Sequence, residues 1–149
     1  MSSVNSIPSN ILDEDSVQLP QKYIRINYTG RRGHIGINCE SFIPSCTKAG
    51  WAKYLKILRA EAVWSNENAI SELRDWLFNT IKLLNVYINA GRKQFTDEWV
   101  DVTQLPKRSE ARMKAKARNE LLESRLKKII NTQEKLIIRH QMLQEVLGQ

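Results

Sequence analysis

Apolar residues alternate with polar ones over two short stretches, and further along the chain the spacing changes to three and four. Tyr23-Ile24-Arg25-Ile26-Asn27-Tyr28 sets Ile24, Ile26 and Tyr28 on one face, and His34-Ile35-Gly36-Ile37-Asn38-Cys39 does the same with Ile35, Ile37 and Cys39. Period-two alternation is what a half-buried strand requires. Thr29-Gly30-Arg31-Arg32-Gly33 supplies two glycines able to take positive φ, so a β-hairpin is expected over Tyr23 to Phe42. Two strands are marginal alone in water, and their apolar face needs a helix or another chain to cover it.

Past Pro44, Ser45 or Thr47 can cap a helix in which Trp51, Tyr54, Leu55, Leu58 and Ala62 share one side, placed at Lys48 to Trp64. Ser65 and Asn66 offer a break or a fresh cap. The stripe Ala69, Ile70, Leu73, Trp76, Leu77, Ile81, Leu84, Tyr87 and Ile88 then predicts a second helix ending at Gly91 as C-cap. Whether Lys48 to Ala90 is one helix or two stays open. Arg92 to Lys107 is less regular, and Phe95, Trp99, Val100, Val102 and Leu105 suggest a connection pinned to the core by aromatics. Ser109 can cap a last helix reaching Leu147 without Gly or Pro, about 38 residues and roughly 57 Å long. Leu122, Ile129, Leu136 and Leu143 recur every seven residues in it, with Leu126, Gln133, His140 and Leu147 four residues after each. That heptad seam predicts a coiled coil or a helical hairpin.

The expected fold is therefore mainly α (α+β): an N-terminal β-hairpin packed on amphipathic helices, followed by a long C-terminal helix. Residues 1–21, rich in Ser, Asn, Pro and acids and without a period, read as a mobile arm. Residues 22–105 form the hairpin and helical core, and 106–149 the basic helix. At 149 residues the chain has room for one compact domain, and 42% hydrophobic residues exclude a disordered chain. No apolar run is long enough to span a membrane, and Met1 to Asn10 lacks the basic start of a signal peptide, so a cytoplasmic location is expected. Cys39 and Cys46 are then expected as free thiols.

Charge narrows the function. The net +7 is concentrated beyond residue 100, where +5 of it lies. Lys107, Arg108, Arg112, Lys114, Lys116 and Arg118 stand against the single Glu110. Along the helix, Lys114, Arg118, Arg125, Lys128, Lys135 and Arg139 project to one flank of the seam, and Glu120, Glu123, Glu134 and Glu145 to the other. A solvated helix with ordinary pairs such as Lys116 with Glu120 and Glu123 with Lys127 accounts for this pattern. So does a basic flank that tracks phosphates, because cations sorted onto one face attract a polyanion irrespective of its sequence. A third account is a dimer whose register the flanks set.

Arg31 and Arg32 at the hairpin tip add guanidinium groups suited to phosphate or carboxylate. Tyr28, Trp51, Trp64, Trp76 and Trp99 could stack on bases, although most fall on apolar stripes and suit a core. His34, Cys39 and Cys46 lack the paired spacing of a zinc site, and neither Asp97, Glu98 and Asp101 nor Asp13, Glu14 and Asp15 come with the partners that Mg2+ or acid/base chemistry requires. There is no P-loop, nucleophile elbow, His-Glu-x-x-His or dinucleotide motif, so neither an enzyme nor a cofactor is expected. The leading expectation is a non-enzymatic binding protein that engages nucleic acid or a nucleic-acid-bound protein complex. Its contacts would be Lys107, Arg108, Arg112, Lys114, Lys116, Arg118, Arg125 and Lys128, with Arg31 and Arg32. The alternative is a protein-protein module or small inhibitor that blocks a protein partner, as a homo-oligomer if Leu122, Leu126, Ile129, Leu136 and Leu143 pair between chains.

Overall fold

A computed structural model describes residues 9–27, 34–59 and 67–148. The alternating stretches form an antiparallel hairpin of β1 (Tyr23–Asn27) and β2 (His34–Asn38), in a register that pairs Tyr23 with Asn38 and Ile24 with Ile37. Among the described residues four helices follow: α1 (Cys39–Ser45), α2 (Lys48–Ile57), α3 (Glu67–Glu98) and α4 (Glu110–Leu147). Single 3-10 turns occur at Ile11–Asp13 and Val102–Gln104. The expected mainly α fold with an N-terminal hairpin and a long last helix is the fold observed. Arg31 and Arg32 of the hairpin tip, Tyr28, and the Ala62 to Asn66 region of the expected helix junction lie outside the described residues.

The chain divides into two compact units, Met1–Gln18 with Leu83–Asn131 and Leu19–Lys82 with Thr132–Gln149. Both long helices contribute to each unit. In the second unit Ile24 and Ile37 are buried, as the strand alternation requires, together with Ile43, Trp51, Leu55, Leu73, Leu77, Leu136 and Leu143. Trp51 stacks on Tyr54 with ring centroids 5.6 Å apart, and its indole N–H donates to the Arg139 carbonyl at 3.0 Å. Gln133 donates to the Ile81 carbonyl at 3.1 Å, and the Phe78 and His140 rings lie 6.4 Å apart. In the first unit Arg118 meets Glu98, and Leu126 meets Gly91. Within each unit α4 retreats as α3 advances, so the two helices pair antiparallel there.

That pairing consumes the heptad seam. Leu122, Ile129, Leu136 and Leu143 are buried, and Leu126 is half-buried, within the single chain. The seam therefore closes on the chain's own elements, which is the helical-hairpin alternative. Arg139, expected on the exposed basic flank, is buried as well: its guanidinium donates to the Cys46 carbonyl at 2.9 Å, just past the end of α1.

Three local readings change. The second strand stops at Asn38 and does not continue toward Phe42, because Cys39 starts α1; its amide donates to the Lys22 carbonyl and Glu40 accepts from the Lys22 amide. Gly91 is not a C-cap. It lies inside α3, where an added Cβ would stand 3.1 Å from both Leu12 and Leu126, so its missing side chain makes room for close packing. The N-terminal segment is not simply a mobile tail either: Ile11 and Leu12 are buried, and the Leu12 amide donates to Gln94 at 2.7 Å. Two apolar residues too close together to show a period nonetheless fill one site.

Candidate nucleic-acid interface

Pro106 interrupts the chain and Ser109 restarts it. The Ser109 hydroxyl accepts from the Arg112 amide at 3.1 Å and donates to the Pro106 carbonyl at 2.7 Å, which caps α4 as the sequence suggests. Between them Arg108 adopts φ 61°, the left-handed region that non-glycine residues rarely enter. Upstream, Asp101 caps the 3-10 turn by accepting from the Thr103 amide and hydroxyl, and those hydrogen bonds hold its carboxyl below the usual range. Two contacts fasten this connector to α4. Buried Asn119 accepts from the Val100 amide at 3.2 Å and donates to the Val100 carbonyl at 2.8 Å; the Arg112 guanidinium reaches the Leu105 carbonyl at 3.4 Å.

Of the residues expected to pin the connector, Phe95 is half-buried inside α3 and Val102 and Leu105 are half-buried, whereas Trp99 and Val100 are exposed. Trp99 is 53% exposed and Val100 39% exposed. Trp51 and Trp76 are buried, with the Trp76 indole donating to the Pro20 carbonyl, while Trp64 lies outside the described residues. Trp99 is thus the one described tryptophan with a ring open to a ligand.

The expected contact residues separate into three groups. Arg118 and Arg125 serve the N-terminal segment: Arg118 pairs with Asp13 at 2.6 Å and Glu98 at 2.8 Å, and Arg125 with Asp15 at 2.7 Å while donating to the Leu12 carbonyl at 2.8 Å. Hydrogen bonding to Arg118 holds both Asp13 and Glu98 below the usual carboxylate range, and the same bonds raise the Arg118 pKa. Lys114 pairs with Glu110 at 3.1 Å in full view of solvent. Lys107, Arg108, Arg112 and Lys116 form the third group, with no ion pair to a carboxylate among the described residues, and all but Arg112 are exposed. Lys128 lies apart, exposed beside Glu120, Glu123 and Lys127 along a shallow depression of about 350 Å³.

Further participants take roles that the sequence did not assign them. Gln94 is buried and is the hub of the docked segment, accepting from the Leu12 amide and donating to Asp13 and Glu98. Asn119 holds the connector. Asp13 and Asp15 are partners of Arg118 and Arg125, and a signal for this existed, since two arginines seven apart fall on one helix face and match two carboxylates of opposite charge. Elsewhere, Gly36, Ile37, Asn38, Ser41, Phe42 and Tyr54 border a cavity of about 390 Å³. Burial raises the Tyr54 phenol there, and burial followed by the neighbouring Glu40 charge pushes the Cys39 thiol up to about 12, so neither is activated for chemistry. Among the described residues no group of metal ligands is found, and no helix is long and apolar enough to cross a membrane. Comparison with protein-family profiles, with curated proteins and with solved structures finds no match for this chain.

Proposed function

We propose that the chain is a non-enzymatic cytoplasmic binding protein that engages nucleic acid, alone or in a nucleoprotein complex, through Lys107, Arg108, Arg112 and Lys116, with Lys114 beside them. One observation carries it: these four cations have no carboxylate partner among the described residues, whereas Arg118 and Arg125 are taken by Asp13, Glu98 and Asp15. Cations without a carboxylate partner at one end of a helix release counterions when they meet phosphates, and that release drives binding. Arg118 and Arg125 therefore leave the expected contact set, and Arg31 and Arg32 rest on sequence alone.

The test is fluorescence anisotropy of labelled oligonucleotides against salt. Four phosphate contacts give a log-log slope of roughly −3 to −4. Changing Lys107, Arg108, Arg112 and Lys116 together to Gln should weaken binding and flatten the slope; an unchanged affinity and slope would remove these residues from the interface. The rival, an oligomer or inhibitor built on the heptad seam, has less support, since the seam is buried within one chain.

A further inference from the structure

At 100° per residue Arg112, Lys116 and Asn119 fall within about 60° of one another, one stripe of α4. The connector touches that stripe at Asn119, through Val100, and at Arg112, through Leu105. These positions are roughly 10 Å apart along the helix. Trp99 precedes the first contact, Lys107 and Arg108 follow the second, and Lys116 lies between them. The Trp99 backbone is fixed, its amide donating to the Phe95 carbonyl at 3.0 Å, and its ring leans on Phe95 with centroids 5.4 Å apart. Even so, about half of its surface remains in water, and Met113 beside Arg112 is 68% exposed.

Most carboxylates of this region are engaged, while Glu120, one turn beyond Lys116, is exposed and makes no ion pair among the described residues. Asp97 pairs with Lys93, Glu98 with Arg118 and Glu110 with Lys114, while Asp101 holds the Thr103 amide and hydroxyl. The charge left over is that of Lys107, Arg108, Arg112 and Lys116 against the single Glu120. An exposed indole next to cations in excess is the pairing that meets a base face and a phosphate at once.

Resting on the polyanion reading above, we propose that Trp99 and this stripe bind a single-stranded nucleic acid, with one base stacked on the indole and the backbone running past Lys116 and Arg112 toward Lys107 and Arg108. A duplex keeps its base faces inside the stack and has no use for the indole. A single strand offers a π-face at every base, and stacking of this kind is tolerant of sequence.

The experiment compares labelled oligothymidylate, oligouridylate, a DNA duplex and poly-glutamate on the full chain, in wild type, Trp99→Ala, Trp99→Tyr and the four-fold Gln variant. Expected is a loss of about tenfold or more in single-strand affinity for Trp99→Ala, recovery in Trp99→Tyr, and duplex binding unmoved by either. Because part of the ring packs on Phe95, thermal melting sets the comparison temperature, and all affinities are read well below the melting point of each variant. If Trp99→Ala binds single strands as tightly as wild type while the Gln variant loses both forms, the stacking assignment is overturned and the basic face stands. If no oligonucleotide binds even at low salt, the polyanion reading falls and takes the stacking assignment with it. Poly-glutamate bound as tightly as oligothymidylate would overturn a base-stacking site in favour of an acidic protein partner.

Discussion

Replacing Leu12 by Ala should release the N-terminal segment while leaving the helical hairpin in place. Leu12 is fully buried and Ile11 nearly so, each worth about 1.5 to 3 kcal/mol of burial. The Leu12 amide bond to Gln94 adds about 1 kcal/mol, and the Arg125 donation to the Leu12 carbonyl about 1.5 to 3 kcal/mol. Together these reach about 5 to 10 kcal/mol. Ordering the backbone from Asn10 to Asp15 costs about 6 to 12 kcal/mol. Docking is thus close to balance. Leu to Ala removes three buried carbons at about 0.8 kcal/mol each, which shifts docking by roughly fifty-fold. Native-state hydrogen exchange reads this directly at the Leu12 amide and at the Asp13 amide, which donates to the Asn10 carbonyl. With docking near balance, that shift leaves the segment undocked, so both should exchange at the rate of an unprotected amide, with Leu84 and Ile88 in α3 unaffected. Unchanged exchange at Leu12, or acceleration equal to that at Leu84 and Ile88, would refute a separately docked segment.

The same segment should loosen in acid. Asp13 and Glu98 have folded pKa values depressed by Arg118, so their stabilisation is complete above the ordinary values of 3.8 and 4.5 and is lost as pH falls through the depressed ones. Leu12 methyl resonances followed by NMR should move toward the undocked shift over that range, and Asp13→Asn with Glu98→Gln should abolish the dependence. Gly91→Leu should destabilise by about 1 to 3 kcal/mol through overpacking against Leu12 and Leu126, whereas in Gly91→Ala the gain in helix propensity, about 1 kcal/mol, offsets the displaced leucine methyls; thermal melting separates the two. Arg108→Gly should raise stability by about 1 kcal/mol, because glycine takes the left-handed φ of 61° without strain, and should weaken oligonucleotide binding at the same time. A destabilised Arg108→Gly in chemical denaturation would show that the side chain makes a contact worth more than the strain.

The periodic parts of this protein were written locally. Alternation at Ile24 and Ile37, the stripe through Leu73, Leu77 and Leu84, the Ser109 cap and the seven-residue recurrence from Leu122 to Leu143 each follow from the geometry of a single strand or helix, and the folded chain uses all of them. What they could not contain is the identity of the surface each one meets. A heptad seam has the same spacing whether it packs on a second copy or on its own chain, and the antiparallel return onto α3 decided that. Charge was legible as a location but not as availability. Arg118 and Lys116, two residues apart on the same helix, differ in what they meet: Arg118 pairs with Asp13, more than a hundred residues away in the chain, and Lys116 makes no ion pair among the described residues. The same holds for the tryptophans, where Trp51 and Trp99 look alike in sequence and one fills a core while the other stands in water. Gly91 illustrates the physical reason most directly. Glycine is compatible both with ending a helix and with letting another segment come close, and only the arrival of Leu12 selects between them.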